Sequence, residues 1–148
     1  MNEELKAKIL DILDSHYFMT LATIRVDGFP QVTAVHYIND DFTIYFATDS
    51  TSQKTANIKL HNKVAAAIIA ESRDAYKLRA LSFSGIAERV LQSDRAHEIK
   101  LRLFRKLPNV RRFAPGNEKQ LAVFAIAPVA ISLVDYASGY GNTHLLEL

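Results

Sequence analysis

Residues 17–48 read YFMTLATIRVDGFPQVTAVHYINDDFTIYFAT, three apolar stretches separated by two short polar breaks. Aromatic and β-branched residues dominate each stretch, as is typical of β-strands. In the third stretch Phe42, Ile44 and Phe46 alternate with smaller or more polar residues and therefore share one face. The first break contains Asp27-Gly28, a strong signal for a hairpin turn. The sequence thus predicts an antiparallel meander of three strands.

The residues on both sides extend this meander into one domain. Periodicity predicts a helix over 3–15, a helix after residue 52, strands over 63–71, 78–91 and 121–136, and a helix over 93–107. Gly85, inside the fifth strand, indicates a bulge or a close backbone approach, and Pro128 indicates a bend in the sixth. Hairpin connections and few helices favour a mainly β fold with flanking helices, a six-stranded antiparallel split β-barrel. The expected organisation is a single domain over 1–148, with the barrel over about 17–135 and a tail over 136–148.

The two later helices are each expected to bury one face. The inward residues are predicted to be Ile58 and Leu60 in the first, and Ile99, Leu103 and Leu107 in the second. Ser93 or Asp94 is the expected N-cap of the second helix.

Composition excludes several classes of protein. With no cysteine among 148 residues, disulfides, thiolate metal sites and cysteine nucleophiles are excluded, and cytoplasm is the default compartment. No run of about 18 apolar residues exists, so no membrane span is expected. A net charge of +2 is too small to argue for nucleic acid. None of the five histidines is paired with another at metal-ligand spacing, so no metal site is expected.

A candidate phosphate site lies where the third strand leads into the next helix. Ser50, Thr51 and Ser52 are all good N-cap residues, and Lys54 falls in the first helical turn. Free N–H groups and the helix dipole attract phosphate at such a position, and hydroxyls and a lysine add to the attraction. Taken alone, however, the motif favours an ordinary capped helix with a solvated lysine.

The order of these features along the chain resembles a known family. A proline-led strand (Pro30-Gln31-Val32-Thr33-Ala34-Val35) precedes a strand ending in Tyr45-Phe46-Ala47-Thr48, which is followed by Ser52-Gln53-Lys54-Thr55-Ala56-Asn57-Ile58 and His61-Asn62-Lys63-Val64. Over about residues 5–135 this pattern resembles the flavin-binding split-barrel family typified by pyridoxamine 5′-phosphate oxidase.

The resemblance implies a cofactor and a location for it. In that family the cofactor is FMN; Lys54 matches a basic residue that holds its phosphate, and Ser52 and Gln53 are expected to contact phosphate or ribityl. The ring is expected beside Val32, Thr33, Ala34, Ala47 and Thr48. The resemblance also implies a homodimer with flavin at the interface, which Tyr136 or Tyr140 would reach from the partner. The implied function is an FMN-dependent oxidoreductase acting on a small, possibly anionic molecule.

Two departures from the oxidase change the expected substrate and leave alternatives open. Gln53 replaces a second basic residue, and a chain without tryptophan lacks the oxidase's C-terminal substrate motif, so vitamin B6 phosphate is not the expected substrate. No catalytic acid or base is identified. The alternative is a non-enzymatic flavin- or haem-binding protein, because members of the wider superfamily bind haem or a deazaflavin.

Two further features are candidates for a role near the cofactor. His36 lies on the strand expected beside the flavin and could bond the ring or the substrate, although an ordinary strand histidine is as consistent with the pattern. A basic stretch follows in Lys100, Arg102, Arg105, Lys106, Arg111 and Arg112. It favours a solvated helix face and loop, with a rim that attracts an anionic substrate as the alternative. Nucleic acid is a less favoured partner, since few aromatic residues interleave with these charges.

Overall fold

The computed structural model describes residues 2–113 and 120–148 and shows a β-barrel with helices packed against it. The described chain contains α1 (Glu3–Ser15), β1 (Phe18–Ile24), β2 (Pro30–Asp40), β3 (Thr43–Asp49), α2 (Gln53–Leu60), β4 (Lys63–Ala70), β5 (Arg79–Arg89), α3 (Ser93–Lys106), β6 (Leu121–Asp135) and β7 (Thr143–Glu147). Short 3-10 segments lie at Ala75–Lys77, Pro108–Phe113 and Tyr136–Ser138.

Six strands form the barrel, and every pair of neighbours is antiparallel. Their order is β3-β2-β1-β4-β5-β6, and pairing of β3 with β6 closes the ring. The predicted mainly β, six-stranded antiparallel split-barrel fold is therefore confirmed. At the first hairpin, Gly28 has a φ of 87° and its N–H bonds the carbonyl oxygen of Arg25 at 2.9 Å, in agreement with the predicted turn.

Strand β6 is long enough to pair with two strands in succession along one edge. Residues 121–126 pair with β3, and residues 130–134 pair with β7. Pro128 lies between these segments, where a missing N–H costs no ladder bond with either strand. On the other edge, the register between β5 and β6 shifts between Ser84 and Gly85, so the predicted irregularities at Pro128 and Gly85 meet in one bulge.

The core fills the barrel interior and continues under α1. Leu5, Ile9, Ile12 and Leu13 are buried, as their spacing predicts, and they join the same cluster as the inward residues of the strands. The third helix, α3, packs instead on the outside of the barrel. There Ile99 and Leu103 form a second cluster with Ile38 of β2 and Val123 of β6.

Several local predictions are wrong. Leu60 is 60% exposed, because α2 ends there and only Ile58 reaches the core. Gln92, not Ser93 or Asp94, occupies the N-cap position of α3, and it makes no side-chain capping bond. Leu107 is only half-buried.

Two other expectations concern the loop after α3 and the tail. The tail contains a seventh strand, β7, which was not predicted; Leu146 of β7 is buried while its neighbours are exposed. The loop expected over residues 109–117 begins as a 3-10 segment to Phe113, and the rest lies outside the described residues. None of the helices in the described ranges is both long and apolar enough to cross a bilayer.

Candidate functional site

The strands β2 and β3 separate over half of their length and leave a split in the barrel wall. They pair only between Tyr37–Asp40 and Thr43–Phe46. Beyond that point β3 pairs with β6, whereas Pro30–His36 pairs only with β1. Antiparallel edges that face each other without a ladder leave main-chain groups free to bond a ligand.

The register shows which groups face the split. The N–H of Tyr37 donates to the carbonyl oxygen of Tyr17 at 3.2 Å, so Tyr17 and Tyr37 form a hydrogen-bonded pair. Alternation along antiparallel strands then directs the N–H and C=O groups of Val32 and Ala34 away from β1 and toward the split. Two residues of the predicted ring site thus present main-chain donors and acceptors to it.

The side chains around the split are small or hydroxyl-bearing. Val32 and Ala34 point to the exposed outer face, and Val32 is 63% exposed. Thr33 points the other way, and its Oγ1 is buried with no hydrogen-bond partner. On the opposite strand Ala47 packs beside α3, while Thr48 donates its hydroxyl to Ser52 Oγ at 3.2 Å.

The start of α2 lies at the end of this split and presents unused donors. Ser52 is the N-cap, and its Oγ accepts a bond from the N–H of Thr55 at 3.3 Å. Among the described residues, the N–H groups of Gln53 and Lys54 have no acceptor, and the ammonium of Lys54 has no ion pair. The first turn contains no acidic residue, so the partial positive charge of the helix start is not neutralised there.

The carboxylate of Asp49 already accepts hydrogen bonds from the loop before α2. Its Oδ1 accepts bonds from the N–H of Thr51 at 2.7 Å and from the Thr51 hydroxyl at 2.6 Å. These bonds, the hydroxyl bond first, hold the pKa of the Asp49 carboxyl below its usual range. An incoming anion can therefore use the amides of the helix start but not that of Thr51.

A buried network of hydrogen bonds, which was not predicted from the sequence, holds α2 against strands β1 and β2. Asn57, only 1% exposed, donates through Nδ2 to Thr23 Oγ1 at 2.9 Å and to Gln31 Oε1 at 3.1 Å. Its Oδ1 accepts from Gln53 Nε2 at 2.8 Å. The side chain of Gln53 therefore serves the fold, and its main-chain N–H is what it offers to a ligand. A polar residue on the buried face of a short helix was the available signal.

His36 is held within the structure rather than open to the split. Its Nδ1 lies 2.9 Å from the carbonyl oxygen of Tyr17, and its Nε2 lies 2.8 Å from that of Leu103. Because both neighbours are acceptors, only the doubly protonated ring can donate to both. The ring thus fastens α3 to the start of β1. No three His, Asp or Glu side chains converge as a metal site in the described parts of the chain.

The basic stretch is not the solvated face that its composition favoured. Lys100 is only 8% exposed, and Lys106 is half-buried. Arg102 bonds Asp40 through both guanidinium nitrogens, at 2.9 Å and 2.8 Å. Arg111 lies over the ring of Phe104 at 5.0 Å. The prediction of a solvated face is therefore wrong for Lys100, Arg102 and Lys106, which are buried or half-buried, whereas Arg105 is exposed as predicted.

The barrel, its split and the helix start at the end of that split define the class of protein. The eight predicted site residues divide among the two walls of the split and the start of α2. This is the split-barrel fold. The family model described as pyridoxamine 5′-phosphate oxidase matches residues 5–135, and the chain belongs to this family.

Solved structures agree on the fold. The general stress protein 26 of Bacillus anthracis superposes with a TM-score of 0.73 at 22% identity, covering 100% of both chains. An FAD-binding protein of Mesorhizobium loti gives a TM-score of 0.72 at 16% identity, over 86% of this chain and 91% of the other. A heme binding protein of Mycobacterium smegmatis gives 0.76 at 19% identity, over 92% of this chain but only 55% of the other. No curated protein matches the sequence.

Proposed function

We propose that the protein binds FMN in the split between β2 and β3 and works as an FMN-dependent oxidoreductase. The observation that carries the proposal is the start of α2, where, within the described residues, the N–H groups of Gln53 and Lys54 have no acceptor and the Lys54 ammonium has no ion pair. Two amides, one charge and a helix dipole suit the phosphate of FMN. Next to Val32 and Ala34, the Thr33 hydroxyl is buried and has no hydrogen-bond partner among the described residues.

The residues of the split would bind and orient the rest of the cofactor. The main-chain groups of Val32 and Ala34 match the alternating donors and acceptors of a flavin ring edge, and their small side chains allow close approach. Bound FMN would supply the hydride or electron chemistry. The strands would hold it in place and keep water from one of its faces, while Asn57 keeps α2 in register with β2.

Lys54→Ala is expected to weaken FMN binding about 10-fold, since one charge-assisted contact to phosphate is worth roughly 1.5 kcal/mol. Riboflavin, which lacks the phosphate, should bind the variant as well as the original protein. Titration of flavin fluorescence with both ligands measures the difference.

The matched control is Lys59→Ala. Lys59 is an exposed lysine in the last turn of the same helix, so the variant removes equal charge from α2 at its other end. It should leave both affinities unchanged. Equal losses in the two variants, or equal affinity of the original protein for FMN and riboflavin, would contradict a phosphate site at the start of α2.

A non-enzymatic binder is the second candidate, and the chemistry of the split favours it over an enzyme with its own acid or base. The described residues on the walls of the split offer hydroxyls and alkyl groups, and His36 is engaged at both ring nitrogens. A flavin that stays oxidised when NADH or NADPH is added without oxygen would support a carrier, and rapid bleaching would support the enzyme. A Soret band after haem addition, with no flavin binding, would replace FMN with haem.

We also propose that the protein is a homodimer, in which the two copies contact each other through the outer face of the sheet. On strands β2, β1, β4 and β5 this face carries small, uncharged side chains at consecutive paired positions: Val32, Ala34, Thr20, Ala22, Ala65, Ala67, Ser82 and Ser84. A broad uncharged face of this kind suits a second copy of the chain. The FMN site at its border would then lie at the interface, within reach of the partner's tail, where Tyr140 is 93% exposed.

Ala65→Glu is expected to weaken self-association about 30-fold, because it buries two like charges near the centre of the face. Ala75→Glu introduces the same charge at an exposed position in the 3-10 segment after β4. It should leave the self-association of the protein unchanged. Sedimentation over a range of concentrations measures both. A dimer equally stable in the two variants would exclude this face as the interface.

A further inference from the structure

A second cavity, of about 280 Å³, lies between the end of α3 and the barrel. Its lining residues are Asp14, Ile38, Asn39, Arg102, Arg105 and Lys106. Ile38 and Asn39 belong to the part of β2 that pairs with β3, so the cavity is separate from the split proposed for FMN. It combines cationic side chains with a half-buried amine, and neither the fold nor the proposed flavin chemistry uses it.

The amine of Lys106 is held among aromatic and main-chain groups rather than beside an acid. Its Nζ donates to the carbonyl oxygen of Tyr37 at 3.2 Å and lies 4.1 Å from the centre of the Tyr37 ring. The Tyr17 ring centre is 5.7 Å away. Burial lowers the pKa of Lys106 to about 8, and the carboxylate of Asp14 opposes that shift. At pH 8 about half of the amine is neutral, roughly 100-fold more than for an ordinary lysine.

Of the two arginines that line the cavity, one is available to bind an anionic ligand. Arg102 is neutralised by Asp40 and also donates to the carbonyl oxygen of Asn39 at 3.3 Å. Within the described residues Arg105 has no ion pair, so its guanidinium is available to an anion in the cavity. Asp14, on the opposite wall of the cavity, accepts one bond from Asn39 Nδ2 at 2.8 Å.

The tyrosines do not compete for these roles. The hydroxyl of Tyr37 donates to the carbonyl oxygen of Leu13 at 2.7 Å, and burial raises the pKa of Tyr37 well above its usual range, so the phenol stays neutral. The groups that face the amine are thus Asp14 from α1, Tyr17 before β1, Tyr37 from β2, and Arg102 and Arg105 from α3.

We propose that this cavity binds a small carbonyl compound that carries an anionic group, and that Lys106 Nζ condenses with its carbonyl. The neutral amine attacks the carbonyl carbon, so a C–N bond forms, the π pair of the C=O bond moves to the oxygen, and one proton passes from nitrogen to that oxygen to give a hydroxyl. A second proton, from water, converts the hydroxyl into a leaving water molecule; the C–O bond breaks as the nitrogen lone pair forms the C=N bond of a protonated imine. Water carries the protons, and Arg105 holds the anionic group. No oxidant or reductant enters this step.

The probe is glyoxylate, an aldehyde that carries a carboxylate. The full-length protein is incubated with it at a series of pH values, trapped with cyanoborohydride and digested, and the labelled lysines are quantified by mass spectrometry. Lys106 should be labelled about 100-fold faster than the exposed Lys59 at pH 8. Its rate should level off above pH 8, whereas the Lys59 rate keeps rising. Labelling of Lys106 no faster than Lys59 would overturn the proposal.

A variant and a neutral aldehyde test the anion contact. Arg105→Gln should slow labelling of Lys106 by glyoxylate about 10-fold and leave labelling by acetaldehyde unchanged. Equal effects on the two aldehydes would show that Arg105 does not hold the anionic group and would overturn that part. Lys106→Met, in which the peptide carries no label, confirms the assignment of the modified site. Unchanged melting of Arg105→Gln verifies that the fold is intact.

Discussion

Phe46→Ala is expected to lower the free energy of unfolding by about 4 kcal/mol, the largest effect of any substitution considered for this chain. Phe46 is fully buried at the point where β3 leaves β2 and continues with β6. Its ring stacks on that of Phe124 with centroids 5.3 Å apart and planes inclined by 18°. This aromatic pair joins the two strands that close the barrel, in addition to their main-chain ladder. Truncating Phe46 removes transfer free energy and leaves a cavity that the closed ring of strands cannot fill.

Chemical denaturation monitored by circular dichroism measures this loss, at one protein concentration because self-association would shift the curve. Tyr76→Ala is the control. Its ring is 78% exposed in a 3-10 segment, so the variant removes an aromatic of similar size from solvent and should change stability by less than about 0.5 kcal/mol. Losses of the same size in both variants would mean that the barrel closure does not rest on the Phe46–Phe124 contact.

Most of the fold followed from short-range patterns. The alternation in Phe42, Ile44 and Phe46, the Asp27-Gly28 turn and the spacing of the α1 residues each report on local geometry, and each was sufficient. The failures came where the outcome depends on distant partners. Strand β7 exists because one edge of β6 continues past Pro128, and the five residues of β7 did not reveal that edge.

The sequence predicted a candidate site as a set of residues, but not how these residues are arranged. The order of the motifs indicated Val32–Ala34 and Ser52–Lys54, since the resemblance is carried by sequence order. The split that relates them arises where the ladder between β2 and β3 ends while β3 stays paired with β6, which depends on partners distant in the sequence. The same holds for Asn57, because its role in the fold depends on hydrogen bonds to Thr23 and Gln31, which lie on two other strands. The residue types along one strand do not predict contacts with particular residues of other strands.

Lys106 illustrates a related limit. In the sequence it belongs to a run of basic residues, which normally indicates a solvated surface. In the structure its stem lies on Tyr37 and Tyr17, and burial changes the chemistry of its amine. Charge counting alone does not separate this lysine from Lys59, whose side chain is exposed.

Gly85→Ala is the substitution with the second largest expected effect, a loss of about 3 kcal/mol from the free energy of unfolding. A Cβ built at Gly85 would lie 2.7 Å from the carbonyl oxygen of Ala127 and 2.8 Å from Ile126 Cγ2. A side chain could rotate away, but the Ala127 carbonyl belongs to the β5–β6 ladder at the bulge and moves only if the ladder moves. One methyl group is therefore enough to force β6 outward.

The consequence should extend beyond stability, because the bulge sits where β6 changes its edge partner from β3 to β7. Pushing β6 outward at Ala127 strains both contacts at once, so hydrogen exchange should rise in β7 and at the β3 end of β6 before the rest of the barrel opens. Ser84→Ala, one residue away with its side chain on the outer face proposed for the dimer, adds no atom at the bulge; it should change stability by less than about 0.5 kcal/mol and leave exchange in β7 unchanged. If Gly85→Ala were as stable as Ser84→Ala, the close approach of the two strands would be dispensable, and β6 would be free to change partners without a glycine opposite Pro128.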